Sequence, residues 1–161
     1  MQKVGSKDIN AVIEKDPYMD GSQPDILVDD CDAGVSVDEG WIVRGRGGYG
    51  LSFYELPLTS EAKTVRFSVE TIPSSGTWAV YSYQSRNKKL TSVTSFEIVS
   101  GGKSYKVQFN RDDLNVLGQT SGDWALLGKY EFKEGQPVEV IVSNEGADAP
   151  MRADAVLFVK Q

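Results

Sequence analysis

Between Thr64 and Glu70 the chain alternates strictly, with Val65, Phe67 and Val69 on one side and Thr64, Arg66, Ser68 and Glu70 on the other. A period of two belongs to a strand, and this one predicts an antiparallel strand with one face buried and the other in water. Short segments of the same kind recur almost to the end. Ile26-Leu27-Val28 reads as a short buried strand, Val35 and Val37 alternate with Ser36 and Asp38, and Gly40-Trp41-Ile42-Val43 follows. Leu51, Phe53 and Leu56 suggest another strand, and Thr77 to Tyr83 is rich in the aromatic and β-branched residues that strands favour. Further strands are expected around Val93 to Val99, Tyr105 to Phe109, Trp124 to Phe132, Val138 to Val142 and Asp154 to Val159. Turn residues separate them, among them Ile72-Pro73-Ser74-Ser75-Gly76 and the hairpin pair Gly101-Gly102. About ten short strands with hardly any helix predict an all-β, jelly-roll-like antiparallel β-sandwich.

Two stretches break the pattern. Lys7 to Lys15 reads as a short helix capped by Asp8, with Ile9, Val12 and Ile13 on one face, ended by Asp16-Pro17. Tyr18 to Pro24 is a polar connector around Asp20-Gly21-Ser22, so residues 1–24 are expected to be a helix and linker left over from an upstream domain, and residues 25–161 the sandwich. The second break is Arg44-Gly45-Arg46-Gly47-Gly48-Tyr49-Gly50, whose four glycines in seven residues predict a loop.

The chain has 161 residues and a formal net charge of -6, which argues against a nucleic-acid or anionic-membrane partner, since phosphates need a basic face. No apolar run is long enough to span a bilayer. Cys31 is the only cysteine, so no internal disulfide and no cysteine-based zinc site can form. The chain contains no histidine. Ser-His-Asp and Cys-His catalysis are thereby excluded, and with them the usual catalytic zinc sites. Chemistry would fall to carboxylates, tyrosine, lysine or an exogenous cofactor, and with 23 acidic residues a chance pair at glycosidase spacing carries no weight.

The glycine-rich loop lacks the Gly-Lys-Ser/Thr ending of a phosphate-binding loop and no helix pattern follows it. Arg44, Arg46 and Tyr49, with Tyr54 nearby, can instead line a rim for a polar or acidic ligand, because sugar rings stack on exposed aromatics. Tyr49 and Tyr54 are expected to be exposed, Trp78 and Trp124 buried. Asp29, Asp30 and Asp32 supply hard oxygen ligands suited to a structural calcium ion, the one cofactor the sequence suggests, although they do not match an EF-hand loop. Asp154 is expected to pair with Arg152 or cap a turn.

The order of motifs resembles the golvesin C-terminal-like modules also found attached to xanthan lyases. The opening Ile26-Leu27-Val28-Asp29-Asp30, Gly34-Val35-Ser36-Val37, Gly40-Trp41 and Tyr49-Gly50 carries the likeness, as does Gly76-Thr77-Trp78-Ala79-Val80-Tyr81. Its most specific part is Gly122-Asp123-Trp124-Ala125-Leu126-Leu127-Gly128-Lys129-Tyr130-Glu131-Phe132, followed by Ala153-Asp154-Ala155-Val156-Leu157-Phe158, where Leu157 replaces a frequent arginine. Residues 84–120 do not align. The resemblance implies a galactose-binding-domain-like sandwich similar to carbohydrate-binding modules. It also implies an accessory part of a larger extracytoplasmic bacterial protein, a polysaccharide lyase or an FAD-dependent oxidoreductase-like protein, whose signal peptide lies outside this chain. It implies no catalytic residues. The leading expectation is therefore a monomeric, non-catalytic module that binds polysaccharide. The alternative is a structural domain docked on an upstream catalytic domain of the same chain, and an independent carboxylate enzyme is the third reading.

Overall fold

The computed structural model describes residues 25–45, 49, 52–113 and 122–161. The helix expected over Lys7 to Lys15 lies outside the described residues, as do Arg46 and Leu51. Twelve strands occur among the described residues: β1 (Ile26–Asp29), β2 (Val35–Val37), β3 (Ile42–Gly45), β4 (Ser52–Leu56), β5 (Thr64–Val69) and β6 (Gly76–Ser85), then β7 (Val93–Ser100), β8 (Lys103–Asn110), β9 (Gly122–Phe132), β10 (Val138–Ser143), β11 (Met151–Ala153) and β12 (Ala155–Lys160). A single 3-10 turn, Arg111–Asp113, follows β8.

The strands form a four-stranded sheet ordered β1-β12-β6-β9, a five-stranded sheet ordered β2-β5-β10-β7-β8, and a small sheet ordered β11-β4-β3. Every pairing is antiparallel. The alternation from Thr64 to Glu70 is realised in β5: Val65, Phe67 and Val69 are buried, and they share one core with Val138, Val140 and Val142 of β10 and Phe96 and Ile98 of β7. The four-stranded sheet meets that face with Val28, Trp78, Val80, Val156 and Phe158. The result is a sandwich whose inner residues come from every second position of each strand.

Gly101 and Gly102 both have positive φ, 59° and 76°, and Ser100 pairs with Lys103. A two-residue hairpin turn of the primed kind needs that conformation at both positions, and it fixes the register of β7 against β8. The loop expected from Arg44 begins later than glycine content suggests. Arg44 and Gly45 belong to β3 and pair with Phe53 and Ser52 of β4, because cross-strand hydrogen bonding outweighs the cost of one glycine.

Candidate functional site

The outer face of the five-stranded sheet is assembled by register. Arg66 of β5 pairs with Ile141 of β10, Ile141 with Glu97 of β7, and Glu97 with Lys106 of β8. One pleat along, Thr64, Ser143, Ser95 and Gln108 form a parallel row. Two loops, 59–63 and 144–147, rise beside these rows, and together they enclose a groove of ≈ 720 Å³. That volume lies within the range of small-molecule sites.

Asn144 joins the two loops: its Nδ2 donates to the Glu61 carbonyl at 2.7 Å and its Oδ1 accepts the Lys63 N–H at 2.9 Å. On the floor, Gln108 Nε2 donates to Ser95 Oγ at 3.2 Å, and Ser95 Oγ donates to the Glu145 carbonyl at 2.8 Å. Arg66 and Glu139 form an ion pair at 3.6 Å beside it. These contacts hold the donors and acceptors in place before any ligand arrives, which reduces the ordering cost of binding. Charges of both signs are interleaved, and Phe96 contributes an aromatic residue to the lining. Chemically, the groove suits a hydroxyl-rich ligand held by hydrogen bonds.

The 144–147 loop is anchored from behind by Asp148, which accepts hydrogen bonds from the Ser92 N–H at 2.8 Å, the Ser92 hydroxyl and the Thr91 hydroxyl. The two bonds from Ser92 are the main reason its carboxyl is held down at about 2 against an ordinary 3.8. A depressed carboxyl adds stability that is fully present above pH 3.8 and disappears as pH falls through 2. Thermal melts should therefore show wild type above Asp148→Asn at pH 5, with the gap closing between pH 4 and pH 2. A gap that stays constant over that range would contradict this anchoring.

The sequence-expected rim is arranged differently. Arg44 is spread on β3 with its Nε 3.8 Å from Glu55, and Arg152 reaches the same carboxylate at 3.4 Å. The expected exposure of Tyr49 and Tyr54 is corrected: both are half-buried and pack into different clusters. Tyr54 packs against the main core, because β4 lies between β3 and β11 and has neighbours on both sides. Tyr49 packs on the outer face of the four-stranded sheet, its ring 5.6 Å from Tyr83 and 5.1 Å from Trp124. The two rings do not form a shared platform. Trp78 and Trp124 are buried, as their strand positions predicted.

The acidic residues fall at one end of β1 and β12. Ligand atoms of Asp29, Asp30 and Cys31 lie within 4.8 Å of one another. Asp32 turns back to accept the Asp29 N–H at 2.8 Å, the task of a turn-closing side chain. Asp154, just before β12, accepts the Tyr49 N–H on its Oδ2 at 2.6 Å. Burial, with the neighbouring carboxylates added, pushes Asp29 up to about 7 and Asp154 up to about 8. Arg152, expected as an Asp154 partner, draws the Asp154 carboxyl down electrostatically, while its Nε pairs with Glu55 and its guanidinium lies 4.2 Å over the Phe53 ring.

A family model for the golvesin C-terminal domain matches residues 26–160. The chain belongs to that family. Among solved structures, this golvesin C-terminal domain is similar to part of a Paenibacillus xanthan lyase, with 25% identity and a TM-score of 0.71. The match covers 85% of this chain but 13% of the lyase. It also shares its fold with a family 35 carbohydrate-binding module from Clostridium thermocellum, at 14% identity and a TM-score of 0.57, covering 86% of this chain and 100% of that one. A CBM35 from Paenibacillus barcinonensis gives 11% identity and 0.57, covering 84% of this chain and 99% of that module. No curated protein matches the chain in sequence. Among the described residues, no helix is long and apolar enough to cross a membrane.

Proposed function

We propose that this golvesin C-terminal domain is a non-catalytic accessory module of a larger extracytoplasmic protein, and that it holds a segment of polysaccharide in the groove over β5, β10, β7 and β8. The groove itself carries this reading: ≈ 720 Å³ of preformed space with polar side chains of both charge signs and walls tied together by Asn144. The likeness to carbohydrate-binding modules that make up whole solved chains, and to a segment of a xanthan lyase, supports it.

The test is calorimetric titration against neutral and acidic polysaccharides. Lys106 and Gln108 are both exposed on β8, an edge strand, so Lys106→Ala with Gln108→Ala should leave the fold intact. The pair of changes should weaken binding by about tenfold or more, the equivalent of about 1.4 kcal/mol. Binding that survives both changes and is lost in Tyr49→Ala would move the site to the Arg44–Tyr49 rim. No heat with any glycan would overturn the reading.

One observation favours a second reading. Leu27, Leu157, Tyr81 and Leu126 lie in register across the outer face of the four-stranded sheet, with Leu27 41% and Leu126 50% exposed. An apolar row of this kind can dock on an upstream catalytic domain of the same chain. In that case Leu126→Asp should speed proteolytic release of the domain from its full-length parent, without changing the melting of the isolated domain.

A further inference from the structure

The polar row on the outer face of the five-stranded sheet does not stop at the groove. Gln108, Ser95, Ser143 and Thr64 lie in register across β8, β7, β10 and β5, and the sheet continues past β5 to β2. Asp38, the residue after β2, extends the row: its N–H donates to the Thr64 carbonyl at 3.2 Å. Its Oδ2 accepts the Thr64 N–H at 2.8 Å and the Thr64 hydroxyl at 3.1 Å. Beside Asp38 lies a second hollow of ≈ 330 Å³, to which Glu39, Gly40 and Pro57 contribute. Thr59, Glu61 and Lys63 line both hollows, so the 59–63 loop is a ridge between them.

The second hollow is kept open and its wall is held. Gly40 has φ of 103°, a conformation L side chains rarely adopt, and a Cβ there would stand 3.6 Å from Leu56 and 3.7 Å from Lys63. The ridge is tied on both flanks, to Asn144 through the Glu61 carbonyl and the Lys63 N–H, and to Asp38 through Thr64. Each hollow alone has the volume of a small-molecule site. The first crosses four strands, about 14 Å from β8 to β5 at the usual spacing. A pyranose ring advances a glycan chain by about one such spacing, so roughly three rings span the first hollow and one or two more reach the second.

Charge narrows the ligand further. Among the described residues the two hollows are lined by three cations, Lys63, Arg66 and Lys106, against four carboxylates. Lys63 pairs with Glu61 at 3.4 Å, Arg66 with Glu139 at 3.6 Å, and Lys106 stands opposite Glu97 in the β7–β8 ladder. A ligand carboxylate would have to break one of these pairings or lie unpaired among like charges, and either is costly.

We propose that the two hollows form one continuous site for an internal stretch of uncharged glycan about four or five sugar units long. The proposal rests on the groove being the glycan site and goes beyond it in length and charge. The ridge residues then meet the middle of the bound stretch, Lys106 and Gln108 one end, and Glu39 and Pro57 the other.

The test titrates the whole chain with neutral β-1,4-linked gluco-, manno- and xylo-oligosaccharides of two to six units, and with oligogalacturonides of the same lengths. Affinity for a neutral series should rise by about tenfold or more from two units to five and then level off. Glu39→Ala with Pro57→Ala changes two exposed residues and should leave the melting temperature unchanged. This pair should weaken binding of the longest oligosaccharide by about tenfold and of the shortest by less than about twofold, whereas Lys106→Ala with Gln108→Ala should weaken both. Oligogalacturonides should bind at least about tenfold more weakly than the neutral series. Affinity that levels off at two units, a Glu39 and Pro57 variant that binds every length like wild type, or oligogalacturonides that bind as tightly as neutral chains would each overturn the proposal while leaving the groove as a smaller site. Loss of all lengths alike, or no binding at all, would overturn it too, and the absence of any binding would take the groove reading with it.

Discussion

Trp78→Ala should cost about 3–5 kcal/mol, the range for emptying a large aromatic from a closed core, and a large part of the stability of a domain this size. Trp78 is fully buried in β6 and packs in the core shared by the two main sheets. Its indole Nε1 also donates to the Ser74 carbonyl at 3.1 Å, pinning the turn that begins β6. Trp78→Phe keeps most of the apolar volume but leaves that carbonyl to find water, so it should lose only about 1–2 kcal/mol. Urea unfolding should show a lower midpoint with an unchanged slope for both variants. A loss below about 1 kcal/mol in the alanine variant would mean that the two sheets do not close on this residue.

Gly128→Ala should be the second large effect, for a reason that lies in the backbone. Gly128 has φ of 140°, a region L side chains rarely adopt, and a Cβ there would stand 2.5 Å from the Tyr130 hydroxyl oxygen. It sits where the β6–β9 register slips between Val80 and Tyr81: Gly128 pairs with Val80 and Leu126 with Tyr81, so Leu127 is the extra residue. This bulge lets Leu127 enter the core while Leu126 points to water. Alanine should cost about 1–3 kcal/mol in strain, plus about 1 kcal/mol if Tyr130 is driven from its 2.8 Å bond to the Leu127 carbonyl. Tyr130→Phe removes the nearest of the atoms the new methyl meets, the hydroxyl, and leaves ring Cζ at 2.8 Å. The double variant should therefore lose less than the sum of the two single losses, by an interaction measurable in a double-mutant cycle. Simple additivity would show that the cost lies in the backbone and the Tyr130 ring and not at the hydroxyl.

These two residues also mark what could be read before the fold was known. Trp78 sits in a run of aromatic and β-branched residues, and Gly101-Gly102 specify a hairpin locally, so both needed only their neighbours in sequence. The Trp124 to Phe132 stretch was legible as strand, but the bulge at Gly128 was not, because it depends on how β9 meets β6. The groove was invisible for a similar reason. Arg66, Glu97 and Lys106 are ordinary outward residues on separate strands, and only the order β5-β10-β7-β8 sets them in one row. Tyr54 was expected to face water because it stands beside the glycine-rich loop. It is half-buried because β4, paired between β11 and β3, sets it against the main core. Asp154 was visible as a strand-start carboxylate, yet its hydrogen-bond donor lies more than a hundred residues away, at the Tyr49 N–H.

The carbohydrate-binding account is tested most directly by titrating the isotopically labelled domain with oligosaccharides cut from a bound polysaccharide and following its backbone amide resonances. The account predicts saturable shifts concentrated on Arg66, Ser95, Glu97, Lys106, Gln108 and the 144–147 loop, with the opposite sheet unmoved. Shifts confined to Tyr49 and its aromatic neighbours, or none with any glycan, would contradict it.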